Sequence, residues 1–93
     1  MNKYEALYIL NASLDDAAKD ELIEKFKAVV VNGGGEVKGV DKWGVKKLAY
    51  EINFKSEGFY VLMNFSAPSE LIAELERQMR ISDDVMRFIT VRK

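Results

Sequence analysis

The sequence predicts an α+β fold in which secondary structure follows the order β-α-β-β-α-β, with two helices covering one face of a four-stranded antiparallel sheet. Three observations predict it. Two segments carry apolar residues at helical spacing, four aromatic and β-branched segments are interleaved with them, and no linker, repeat or low-complexity run interrupts the series. Ninety-three residues, 48% of them hydrophobic and one a proline, fit a single domain over residues 1–93. A chain of this size buries only somewhat more than about 60% of its unfolded surface, so modest stability is expected.

Residues 4–10, Tyr-Glu-Ala-Leu-Tyr-Ile-Leu, are rich in aromatic and aliphatic side chains and read as a central strand. A helix follows. Ser13 or Asp15 can cap it, Asp15 and Asp16 suit the positive end of its dipole, and Ala18, Leu22, Phe26, Val29 and Val30 recur at its spacing. Gly33, Gly34 and Gly35 stop it. Residues 36–52 form a long irregular strand in which Trp43 and Val45 share one parity and Leu48, Tyr50 and Ile52 the other, so a bulge or bend is expected between Gly44 and Lys47. Residues 53–58 make a turn. Residues 59–65 are the third strand, with Phe59, Val61, Met63 and Phe65 on one face and Tyr60 and Leu62 on the other. Pro68 suits the first turn of a second helix, whose stripe is Ile72, Leu75 and Met79, and residues 85–91 are the last strand. The uncovered sheet face then carries Leu7, Ile9, Tyr60 and Leu62 with some of Arg87, Ile89 and Val91, a candidate contact surface.

Composition excludes most catalytic chemistry. There is no cysteine and no histidine, which removes disulfides, thiolate nucleophiles and the commonest general base and metal ligand. No catalytic residue, metal site or cofactor is expected, nor a small-molecule substrate. No membrane span or signal-peptide pattern is present in the sequence, and a cytoplasmic location without membrane partners is expected. The formal net charge is −1, yet basic residues cluster at Lys38, Lys42, Lys46 and Lys47 and again at Arg77, Arg80, Arg87, Arg92 and Lys93. Local potential, not the total, is what steers a polyanion.

The acidic run Asp15, Asp16, Asp20, Glu21 and Glu24 is explained by a helix start and a solvated face, with a carboxylate metal site as the minor reading. The triple glycine follows a helix, whereas a phosphate cradle follows a strand and opens a helix. Gly58-Phe59-Tyr60-Val61 partly matches the stacking strand of an RNA-recognition motif, but Glu57 stands where a basic residue belongs, leaving a free single-stranded-RNA module with Tyr60 as the alternative function. Trp43, Gly44, Lys46, Lys47 and Tyr50 fall on an expected edge strand. Lysines blunt such edges against aggregation; an aromatic pair flanking a bend also supplies interface anchors.

Lys3-Tyr4-Glu5, then Trp43-Gly44 with Lys46-Lys47-Leu48-Ala49-Tyr50, then Arg80-Ile81-Ser82-Asp83-Asp84-Val85 with Arg87, together resemble bacterial ribosomal small-subunit protein six over nearly the whole chain. The resemblance implies a ferredoxin-like fold and no catalysis. It implies a structural subunit that contacts the central domain of the small-subunit rRNA and pairs with ribosomal small-subunit protein eighteen. Carried over by position, Lys3, Arg80, Arg87 and Arg92 are the expected phosphate contacts. Trp43, Lys46, Lys47, Leu48 and Tyr50 are assigned to the partner-protein edge. Arg77 is set aside because a helix glutamate, Glu70, Glu74 or Glu76, can pair with it. Two departures reduce the expected interface: Asn2-Lys3 replaces the family's basic pair, and the tail that many members carry beyond this point is missing.

Overall fold

The computed structural model describes the backbone of residues 2–52 and 55–93, and side chains for 2–48 and 56–93. The order is β1 (Asn2–Asn11), α1 (Asp16–Asn32), β2 (Glu36–Ile52), β3 (Lys55–Ala67), α2 (Ser69–Ile81) and β4 (Val85–Arg92). The strands form one antiparallel sheet in the spatial order β2-β3-β1-β4, so β2 and β4 are its edges. This is the expected ferredoxin-like plan.

Alternation along β1 decides which face is covered. Tyr4, Ala6, Tyr8 and Leu10 join Val61, Met63, Phe65 and Ala67 of β3 beneath the helices, where Ile23, Phe26 and Val30 of α1 and Leu71, Leu75 and Met79 of α2 close the core. Tyr8 and Phe26 meet edge to face at 5.2 Å, and Tyr4 stacks on Phe65 at 5.6 Å. Lys3, Glu5, Leu7 and Ile9 therefore point to the open face.

Helix α1 starts where Asp15 accepts a hydrogen bond from the Ala18 backbone N–H at 2.8 Å, the cap its side chain predicts. It ends in a Schellman turn. Gly35 N–H donates to the Val30 carbonyl, Gly34 N–H to the Val31 carbonyl, and Gly34 takes φ of 89° between them. The glycine run is thus a helix stop, as its position after α1 requires.

Three expectations are corrected. The buried stripe of α1 includes Ile23 and the stem of Lys19, while Ala18 is only half-buried. Strand β3 begins at Lys55, with Ile52 opposite Lys55 and Lys47 opposite Glu57, so the turn expected over residues 53–58 is shorter than that; residues 53 and 54 lie outside the described residues. The parity of β2 also differs. The register slips between Val37 and Gly39 and again between Lys42 and Gly44, so Lys38 and Trp43 are each an extra residue in the ladder. Trp43 consequently lies beside Tyr60 on the open face, whereas Val45 sits opposite Phe59 on the helix side. Gly44 permits the second bulge through its φ of 87°.

Candidate nucleic-acid and partner interfaces

The expected partner-edge residues divide between two faces. Trp43 stacks on Tyr60 with ring centroids 6.4 Å apart and planes 8° from parallel, and the Lys46 ammonium lies 5.0 Å from the Trp43 centroid. Leu48 follows Lys46 at a spacing of two, and its Cδ2 lies 3.4 Å from where a Cβ on Gly58 would stand. Trp43, Lys46 and Leu48 thus make one ridge along the open side of β2. Lys47, opposite Glu57, is on the other side. The Tyr50 side chain lies outside the described residues.

From that ridge an apolar groove runs across the open face. Trp43, Leu62, Leu7, Ile89 and Val91 line it, and Glu5 closes one end. Register explains the alignment: Leu7 stands between Leu62 of β3 and Ile89 of β4, and Ile9 between Tyr60 and Arg87. Trp43, Ile89 and Val91 are each about half exposed, at 44%, 48% and 52%. A contiguous apolar strip of this kind on a small domain marks a contact surface. Because Trp43 covers one face of the Tyr60 ring, the geometry does not favour base stacking there.

The expected phosphate contacts gather along the opposite edge, without meeting at one point. Arg80, in the last turn of α2, holds its guanidinium carbon 5.9 Å from the Phe88 ring of β4. Arg87 is on the open face opposite Ile9. At the far end of β4, Arg92 donates from Nη2 to the Asn2 side-chain oxygen at 2.9 Å, on the helix-side parity. Lys3 is on the open face near that end, where the Lys93 backbone N–H donates to its carbonyl at 2.9 Å.

Other cations are neutralised locally. Lys42 donates to Asp20 at 2.6 Å across the β2–α1 seam, and that carboxylate raises the lysine pKa. Arg77 forms a two-toothed pair with Glu74 at 2.7 and 2.9 Å, the helix pairing its position predicts. The hydrogen bonds from Arg77 and Gln78 hold the Glu74 carboxyl down at about 2. The Asp84 carbonyl accepts from the Asn11 N–H at 2.8 Å, tying the α2–β4 turn to β1. Among the described residues, no group of three or more acidic side chains is placed to hold a metal ion, and no helix is long and apolar enough to cross a membrane.

The comparisons with known proteins agree with this architecture. The profile of the family described as Ribosomal protein S6 matches residues 3–92. The small ribosomal subunit protein bS6 of Clostridium acetobutylicum is 54% identical over 91 residues, covering 98% of this chain and 96% of that protein. Its counterpart in Clostridium novyi is 56% identical with the same coverage. The crystal structure of 30S ribosomal protein S6 from Thermotoga maritima superimposes with a TM-score of 0.94 at 27% identity, covering 99% of this chain and 87% of that one. The solution structure of the C-terminal domain of the MgtC protein from Mycobacterium tuberculosis, 7% identical, shares the fold alone, with a TM-score of 0.72. With the fold, the capped first helix and the bulged edge strand all accounted for, the chain belongs to the ribosomal protein S6 family, structural and non-enzymatic proteins of the small ribosomal subunit.

Proposed function

We propose that this chain, acting as one domain, braces the small subunit by binding the central domain of its rRNA together with ribosomal small-subunit protein eighteen. The observation that supports this is the sheet order. With β2 and β4 as opposite edges, the Trp43–Lys46–Leu48 ridge lies on one edge strand and Arg87 and Arg92 on the other, with β3 and β1 between them. One sheet can thus meet a protein through the apolar groove of its open face and phosphate through the arginines beside that groove. The apolar groove beside Trp43 suits the protein partner, because its lining offers burial and few hydrogen-bonding groups. The β4 side suits phosphate, because Arg87 and Arg92 on the strand and Arg80 beside it are exposed.

The test is reconstitution. Protein eighteen titrated into this chain should shift the emission of Trp43, the one tryptophan, to shorter wavelength, and the pair should bind a central-domain rRNA fragment more tightly than either protein alone. Trp43→Ala should weaken pairing by roughly five- to thirtyfold, the 1–2 kcal/mol of an interface aromatic. An unchanged spectrum, or rRNA affinity indifferent to protein eighteen, refutes the reading.

A further inference from the structure

A cavity beside Lys3 brings in residues that have no role so far. It lies at the end of the sheet where β1 begins and β4 ends, and is lined by Lys3, Lys38 and Lys93 with Asn64 and Ser66, floored by Tyr4 and Phe65. Three separate features of the fold bring the lysines together. Lys3 points to the open face by the alternation of β1, opposite Ser66. Lys38 is the extra residue of the first β2 bulge, which turns it toward this corner while Val37 and Gly39 stay paired with Phe65 and Asn64. Lys93 is held there by its backbone bond to the Lys3 carbonyl.

Two carboxylates face the three ammonium groups. Lys38 pairs with Glu36 at 3.3 Å and Lys93 with Glu5 at 3.0 Å, while Lys3 has no ion pair among the described residues. The pairs are exposed, with about half of each lysine side chain accessible, so each is worth little and is easily exchanged. The side chains at the corner thus sum to one positive charge in a concave site, beside the amide of Asn64.

We propose that this corner is a phosphate-binding site for the RNA backbone, with Lys38 and Lys93 joining Lys3 as contacts and Asn64 donating a neutral hydrogen bond. The proposal rests on the RNA-binding reading above and locates part of it. Lysines act here as point charges on a phosphodiester, which replaces Glu36 and Glu5 as the partner of Lys38 and Lys93. An acidic protein segment would meet the same charges, but the two aromatic residues of the lining, Tyr4 and Phe65, are buried at 6% and 1% exposure and give it no accessible anchor.

The salt dependence of rRNA-fragment binding, measured on the complex with protein eighteen, tests it. Lys38→Gln and Lys93→Gln should each flatten the log–log slope by roughly 0.7–0.9, the loss of one phosphate contact. Lys27→Gln, which removes a lysine paired with Glu24 on α1 away from the open face, should leave the slope unchanged. Glu36→Gln should tighten binding by roughly two- to fivefold, the reciprocal of an exposed ion pair's 0.4–1 kcal/mol. A misfolded variant cannot produce that gain, and thermal melts verify folding of the lysine variants. If the wild-type complex binds the fragment with slopes and affinities that these substitutions leave untouched, the corner is refuted while the RNA-binding reading stands. If the wild-type complex does not bind the fragment, both fall together.

Discussion

Tyr8 offers the sharpest test of how the core is built. Its ring is fully buried between sheet and helices, edge-on to Phe26, and its hydroxyl has no hydrogen-bond partner among the described residues. Burial, reinforced by the nearby Glu24 charge, pushes the phenol far above its ordinary pKa, which shows how costly a charge would be at that position. Tyr8→Phe keeps the ring, its volume and its contact with Phe26, and removes only the unsatisfied O–H. A buried donor without a partner costs about 1–3 kcal/mol. Rearrangement in the tyrosine protein recovers part of that, so the phenylalanine variant is expected to gain roughly 0.5–1.5 kcal/mol. For a chain of this length each kcal/mol is worth about 4–8 °C of melting temperature. Urea denaturation followed by circular dichroism reads the change directly, with an unchanged m-value confirming that the exposed surface on unfolding is the same. A loss of 1 kcal/mol or more would mean that the hydroxyl is bonded in the folded protein, and the account of this face would have to be redrawn.

Two glycines separate packing from backbone strain. A Cβ at Gly35 would stand 2.7 Å from the Ser66 carbonyl oxygen and 3.0 Å from that of Val30, both backbone, so Gly35→Ala should cost about 1–3 kcal/mol in urea melts. Gly44→Ala meets nothing within 4 Å and is opposed only by its φ of 87°, so it should cost about 1–2 kcal/mol. Equal losses for Gly44→Ala and Gly44→Asn would count against strain as the cause, since asparagine tolerates that region. The third test is acid stability. Glu74 has a folded pKa of about 2 against an ordinary 4.5, so its contribution is complete above 4.5 and is lost as pH falls through about 2. The stability gap between wild type and Glu74→Gln should therefore narrow across that window and stay constant above it; a gap that widens on acidification contradicts the assignment.

How much could be read beforehand depends on whether a signal is local. The covered face of β1 was legible because Tyr4, Ala6 and Tyr8 repeat every second residue, and the end of α1 because a glycine run after a helix supplies the left-handed residue that a Schellman turn needs. Period-two reading failed in β2. Each bulge inserts one residue, so the faces of Trp43 and Val45 cannot be counted from the strand's start. Lys19 was illegible for another reason: its burial depends on its ammonium lying 4.6 Å from the Phe59 ring centroid, a contact spanning forty residues of sequence. The lysine corner was hidden in the same way. Lys3 and Lys93 meet only through the pairing of β1 with β4, and Lys38 arrives through a bulge.

The net charge of −1 is the apparent obstacle to an RNA-binding role, and the arrangement of pairs removes it. Lys27, Lys42 and Arg77, all on the helix side, are each matched by a carboxylate of α1 or α2 within 3.3 Å. Arg80 and Arg92 instead contact neutral groups, the Phe88 ring and the Asn2 amide, and Lys46 contacts the Trp43 ring. Lys27, Lys42 and Arg77 are thus each paired with a helix carboxylate, while Arg80, Arg92 and Lys46 keep their charge against neutral groups. At the lysine corner, three cations against two carboxylates leave the same imbalance. Screening over about 8 Å at physiological salt makes such local excess, and not the sum over the chain, the quantity a phosphate at the surface experiences. A chain that is acidic as a whole can therefore present positive edges on either side of an apolar groove, which suits a subunit held between RNA and a second protein better than one that coats RNA alone.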